Sequence, residues 1–142
     1  MSDFNADIIK EFRSNGGAVG GPLEGVPLVL VTHRGAKSGA LRTTPLRYYS
    51  DGGRLILFAS NLGAASDPAW FHNLVANPRI TVEVGDESYE AGATVLRGET
   101  RDNLWKRLVE ELPFLVEHQK RAGEREIPLV ALTRVTDVSS TP

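Results

Sequence analysis

The chain contains no cysteine. Disulfide frameworks, thiolate metal centres and cysteine nucleophiles are thereby excluded, and a reducing, cytoplasmic compartment is the expectation. A surplus of either charge is missing too: 16 Lys and Arg stand against 18 Asp and Glu, for a net charge of −2. Binding to a phosphate backbone calls for a basic excess over a whole face, so nucleic acid is not the expected partner. No stretch approaches the roughly 20 apolar residues of a spanning helix. Residues 1–12 carry acids where a signal peptide would carry its apolar core, so a protein neither secreted nor membrane-integral is expected. His33, His72 and His118 lack both ligand spacing and accompanying carboxylates, and no metal site is expected. Ser60 has neither a nucleophile elbow nor an evident base.

What is there reads as one domain over residues 1–142, with 41% hydrophobic and 24% charged residues. Phe4, Ile8, Ile9 and Phe12 recur at helical spacing behind Asp3, a candidate N-cap, and Asn15-Gly16-Gly17 supplies the stop, giving an N-terminal helix over 1–15. That helix is expected to pack on the sheet or on a subunit partner; a weak membrane-surface contact is the alternative, disfavoured because its polar face is not strongly basic. Strands are predicted over 26–31, 43–49, 54–60, 80–84, 87–96 and 127–135, with hairpins at Asp51-Gly52-Gly53 and Gly85-Asp86. Asp67-Pro68 opens a helix to Ala76, and a second helix from Glu99 is expected to bend at Pro113 and run to Gln119. Residues 136–142 read as a frayed tail. The fold class is therefore α+β, mainly β: a small barrel of about six antiparallel strands with helices at its openings.

The most informative stretch is 34–45, Arg34-Gly35-Ala36-Lys37-Ser38-Gly39-Ala40-Leu41-Arg42-Thr43-Thr44-Pro45. Arg34, Lys37, Arg42 and nearby Arg47 make the local field positive, because no Asp or Glu occurs from Gly25 to Ser50. Glycines at 35 and 39 permit positive φ and close backbone approach, so amides can converge on phosphate oxygens while Lys37 and Arg42 add charge-assisted bonds. The same pattern also fits a solvated basic hairpin turn, and spacing alone leaves both open.

Asn15-Gly16-Gly17, the Gly35-Ala36-Lys37-Ser38-Gly39 turn with Arg42-Thr43-Thr44-Pro45, Ala59-Ser60-Asn61, Pro68-Ala69-Trp70-Phe71-His72-Asn73-Leu74, Ala76-Asn77-Pro78 and Arg125-Glu126-Ile127-Pro128 occur in order along the chain. Together they resemble the deazaflavin (coenzyme F420)-dependent nitroreductase and quinone reductase family of actinobacteria. The resemblance implies a split β-barrel binding reduced 8-hydroxy-5-deazaflavin, a coenzyme with a phosphate and an oligoglutamate tail. It implies that Lys37 and Arg42 contact the phosphate, with Ser38, Gly39 and Thr43 offering donors from the turn and Asn73 completing the site from the following helix. It further implies that Trp70 walls the pocket and that Ser60, Asn61, Gly63, Ala64 and Ala65 lie along the deazaflavin ring.

The expected function is hydride transfer from the reduced coenzyme to an activated double bond, quinone or nitro compound, with a small-molecule electron acceptor and a monomer or homodimer as the working unit. A flavin mononucleotide (FMN) reductase or oxidase on the same barrel, and a non-catalytic binder of the coenzyme or a lipophilic ligand, are the alternatives. Relatives that reduce nitro compounds carry tyrosines where this chain has Leu112, Leu115 and His118, and a lysine where Asn61 stands. These departures predict an apolar acceptor pocket of broad range that favours enones, lactones or quinones over nitroimidazoles, with His118 as a candidate proton donor.

Overall fold

A computed structural model describes residues 2–135, including side chains except those of residues 2–4, Pro22 and Leu62. The expected tail at 136–142 and the Phe4 position of the helical stripe lie outside the described residues. Four helices and seven strands are present: α1 Ser2–Ser14, β1 Leu28–Arg34, β2 Leu41–Arg47, β3 Tyr49–Asp51, β4 Arg54–Phe58, α2 Ala69–Ala76, β5 Arg79–Val84, β6 Glu87–Leu96, α3 Gly98–Glu111, α4 Phe114–Ala122 and β7 Leu129–Arg134. Helix α1 begins at Ser2, so Asp3 is inside it and not its N-cap.

All strand pairings are antiparallel, in the order β2-β1-β5-β6-β7-β4-β3. Strands β2 and β3 stand at opposite ends of that order, yet only Tyr48 separates them in sequence. A flat sheet cannot satisfy both facts. The sheet must curl until its two ends meet at Tyr48, which produces a split β-barrel. The expected second strand is thus two, and the count is seven where about six were read. Hairpins form where glycine permits a left-handed backbone, at Gly52 with φ 64° and Gly85 with φ 60°.

The interior is filled by Val29, Val31, Leu57, Val82 and Val130, with Leu74 of α2 closing one mouth. A second cluster lies on the outer face under α3 and α4, where Leu104, Leu108 and Leu115 meet Ile56, Leu129 and Ala131. Helix α1 buries Ile8 and Phe12 against Val19, Leu28 and Leu30. Its apolar face is turned to the sheet, as the packing expectation requires. No described helix is long and apolar enough to cross a membrane.

Pro113 separates two helices where a bend was expected. Clash with the proline ring drives the residue before it out of the α region, and Leu112 takes φ −127°, ψ 73°. Helix α2 starts one residue later than expected: Pro68, which has no side-chain acceptor, is its N-cap, and Asp67 pairs with Arg125 instead.

Candidate functional site

The turn 35–40 caps the β1–β2 hairpin, whose register runs from Leu28 opposite Arg47 to Arg34 opposite Leu41. It is stiffened from within. The Gly35 amide donates to the Ala40 carbonyl at 2.8 Å, the Gly39 amide to the Gly35 carbonyl at 3.0 Å, and the Ala40 amide to Ser38 Oγ at 3.1 Å. Arg34 Nη1 donates to the Gly39 carbonyl at 2.7 Å. Gly39 has the positive φ expected of it, 73°. Gly35 is required for a different reason: a Cβ there would sit 2.5 Å from Ser38 Oγ.

A hydrogen-bonded relay anchors this turn to the barrel. The Ala36 amide donates to Asn73 Oδ1 at 2.9 Å, and Asn73 Nδ2 donates to His33 Nδ1 at 3.1 Å. His33 must then carry its proton on Nε2, which donates to Thr44 Oγ1 at 2.9 Å. One side chain of α2 thereby fixes the turn, β1 and β2 to one another. Burial, and after it the positive charge of Arg42, hold the His33 pKa below its ordinary value, consistent with the neutral tautomer the geometry requires.

Around the relay lies a cleft of about 600 Å³ lined by Lys37, Ser38, Arg42, Thr44, Trp70 and His72 along with the relay residues. No carboxylate lines it. Lys37 and Arg42 are exposed and make no ion pair or side-chain hydrogen bond among the described residues, although most arginines of the chain are paired. The Lys37 and Ser38 amides also have no partner among the described residues. Two cations and two free amides therefore surround one concave, carboxylate-free space, an arrangement suited to an anion.

The expected donors fall out differently in detail. The Gly39 amide is used inside the turn, and the free amides are one and two residues earlier. Strand alternation turns Thr44 into the cleft with Arg42, while Thr43 Oγ1 bonds Thr32 Oγ1 at 2.8 Å and borders α1. Asn73 is 9% exposed with both its polar atoms bonded within the protein, so it holds the cationic turn in place. Trp70 borders the cleft and packs edge-on to Phe71.

Residues 60–66 form a compact loop opened by the 3-10 turn Asn61–Gly63. Arg125 staples it with four hydrogen bonds, to the carbonyls of Ala59 (3.0 Å), Ser60 (2.7 Å) and Ala64 (3.0 Å) and to Asp67 Oδ1 (2.6 Å). The Gly63 and Ala64 amides close the 3-10 turn, so neither points outward, while Ala64 and Ala65 are exposed on the loop surface. Asn61 is the one non-glycine residue with positive φ among the described residues, at 51°, and its Nδ2 donates to the Ser66 carbonyl. Gly63 is buried against α4, where a Cβ would meet Arg121 Cβ at 2.6 Å and the His118 carbonyl at 2.8 Å.

Of the expected acceptor pocket, Leu115 is absent: it is fully buried in the outer core with Leu104 and Leu108. Leu112 lines a separate cleft with Arg47 and Tyr49. His118 lies over the Phe114 ring at 5.2 Å and places Nδ1 3.1 Å from Ser60 Oγ. Burial, then nearby Arg121, lower its pKa. Residues that sequence reasoning left unassigned are His33 and Arg125. His33 closes the buried strand Leu28–Arg34, a signal for a satisfied core histidine, whereas Arg125 stands between Glu124 and Glu126 and carries no local signal. Among the described residues no cluster of three or more acids and histidines is placed to hold a metal.

A split β-barrel with a stiffened cationic turn at one mouth is the class these features define. Residues 7–134 match the family model described as F420H(2)-dependent quinone reductase. The F420H(2)-dependent quinone reductase Rv1261c of Mycobacterium tuberculosis is 33% identical over 126 residues, 87% of this chain and 85% of the relative. Among solved structures, an F420-H2 dependent reductase, FDR-A, superposes with a TM-score of 0.67 at 37% identity, covering 75% of this chain and 93% of the other. A second, described as a domain-swapped dimer, gives 0.69 at 34% identity over 89% and 92%. This chain belongs to the F420H(2)-dependent quinone reductase family.

Proposed function

We propose that this protein is a reductase that uses reduced coenzyme F420 to deliver hydride to quinones and other flat conjugated acceptors, enones and lactones included, with nitroimidazoles as poor substrates. The observation that carries the reading is the carboxylate-free cleft, where unpaired Lys37 and Arg42 and the free amides of Lys37 and Ser38 face one space. A phosphate monoanion or diester fits such a donor set, and the coenzyme has one. When bound, the reduced deazaflavin supplies a hydride from carbon five of its ring.

The chain's own residues bind and orient. Lys37 and Arg42 would hold the phosphate, Trp70 would form a wall, and the Arg125-stapled loop 60–65 would border the ring system. Asn73, through Ala36, keeps the turn in one conformation, so little ordering is needed on binding. Burial, then Arg121, push the His118 pKa below its ordinary value, which favours the neutral imidazole. His118 stands within hydrogen-bond reach of Ser60 Oγ, and water supplies the proton that completes reduction. A homodimer is the proposed assembly, on the example of the 34% identical domain-swapped relative.

Titrating the protein with coenzyme F420 and with FMN tests the reading. The deazaflavin should bind more tightly, weaken with added salt, and lose about 1.5–3 kcal/mol in Lys37→Ala and Arg42→Ala, the scale of a charge-assisted hydrogen bond. Equal or tighter binding of FMN would overturn it.

A further inference from the structure

Seven arginines, at 13, 54, 79, 101, 107, 125 and 134, meet a carboxylate within 4 Å. Arg47 meets none among the described residues. Its Nε is buried without a hydrogen-bond partner, and its guanidinium carbon stands 4.9 Å from the centroid of the Phe114 ring. The carboxylate that shares its cleft, Glu111, accepts instead from the Tyr49 hydroxyl at 2.7 Å. A buried N–H left unmet is destabilising, and native interiors supply such a group with a partner from the protein, water or a ligand.

The surroundings indicate what that partner is. The cleft beside Arg47 holds about 360 Å³ and is lined by Pro27, Tyr48, Tyr49 and Leu112, more apolar than polar, with Ser50 and Glu111 as its other polar members. Phe114, on which the guanidinium rests, also touches Phe58 at 6.0 Å and His118 at 5.2 Å, and His118 reaches Ser60. Cation, aromatic ring, imidazole and the loop 60–65 are therefore contiguous. Arg47 is on the strand that carries Arg42, five residues further along, and strand alternation turns it to the opposite face.

We propose that Arg47 selects and orients the electron acceptor by donating to one of its oxygens, so that the preferred acceptors are planar molecules with a carbonyl or carboxylate at one edge. This rests on the reductase reading above. It replaces the expected apolar wall of Leu112 and Leu115 with a directional contact. A quinone gains a hydride from the reduced coenzyme, whose carbon–hydrogen bond breaks and which is thereby oxidised. Negative charge then collects on a quinone oxygen until water donates the proton that completes the hydroquinone. A guanidinium bonded to that oxygen is worth more as the charge grows than before it, and so contributes to the chemical step as well as to binding.

The test uses 1-naphthoate, a flat anion that cannot be reduced, and 2-methyl-1,4-naphthoquinone as substrate. In the coenzyme-free protein, calorimetry should show naphthoate binding weakened tenfold or more in Arg47→Met and partly retained in Arg47→Lys. Coenzyme F420 affinity should stay within twofold in both. With the reduced coenzyme, kcat/KM for the quinone should fall at least tenfold in Arg47→Met, with a part of the loss in kcat. Naphthoate binding within twofold of wild type in a folded Arg47→Met overturns the proposal, as does loss of coenzyme and naphthoate affinity together. Should Arg47→Met fail to fold, Arg47→Lys is read alone, and full naphthoate affinity with unchanged kcat there counts against a forked contact. Arg47-dependent naphthoate binding without any oxidation of the reduced coenzyme would leave the anion site standing and remove the reductase reading.

Discussion

Asn73→Ala removes both halves of the bridge between the turn and β1. The Ala36 residue is exposed and its amide can be rehydrated, so that bond is worth about 0.5–1.5 kcal/mol. His33 is 2% exposed, and its Nδ1 without a donor bears roughly 1–3 kcal/mol as an unsatisfied buried atom. The sum, about 1.5–4.5 kcal/mol, should be read in urea unfolding as a lower midpoint at unchanged slope. Asn73→Asp separates anchoring from charge. An aspartate accepts from Ala36 but has nothing to donate to His33, so His33 takes up a proton and donates to the carboxylate. In the wild type the His33 pKa is lowered by burial and then by Arg42, so its contribution to stability is fully present above about pH 6.5 and declines as pH falls below that value. In Asn73→Asp the pKa is raised, so the contribution is fully present below about pH 6.5 and is lost as pH rises through the new value. Coenzyme affinity should drop in this variant, because a carboxylate now adjoins the cleft of Lys37 and Arg42 proposed to hold the phosphate. A loss below 1 kcal/mol in Asn73→Ala, or a wild-type pH slope in Asn73→Asp, would refute the relay.

Other perturbations separate the parts of the cleft. Gly63→Ala combines positive φ with a Cβ 2.6 Å from Arg121 Cβ; it should destabilise by at least about 1–3 kcal/mol by thermal melting. Arg125→Met should cost roughly 2–4 kcal/mol and accelerate proteolysis within 60–66, since three carbonyls and Asp67 lose their donor. Leu115→Tyr should overpack the outer core, destabilising by about 1–3 kcal/mol, and leave acceptor preference as it was. A stable variant with shifted preference would place α4 differently.

Local chemistry made the hairpins legible, because Gly52 and Gly85 announce left-handed turns whatever the remainder of the chain does. The basic turn was legible in the same way as a cluster of cations free of acids, while composition alone left a solvated hairpin equally open. What could not be read was which partners distant segments would choose. Asn73 and His33 meet because α2 folds back over β1, and no local pattern encodes that. Leu115 did carry a signal, since it continues the apolar stripe of Leu104 and Leu108 across the break at Pro113; the resemblance to tyrosine-bearing relatives masked it. Tyr48 reads as an ordinary strand residue, and only closure of the sheet reveals it as a corner.

Strand β7 lies between β6 and β4, so the sheet exists as two unjoined pieces, β2-β1-β5-β6 and β4-β3, until it arrives. Leu57 must find Val130 across about half of the chain, the kind of distant pairing that slows folding and leaves strand edges bare meanwhile. The two ends of the cleft consequently mature at different times. The turn, His33 and Asn73 depend on β1, β2 and α2 alone and can assemble early, whereas α3 and α4 gain their floor only when Leu129 and Ala131 are seated. A refolding chain should acquire its affinity for the anionic ligand before it acquires the wall on which an acceptor rests.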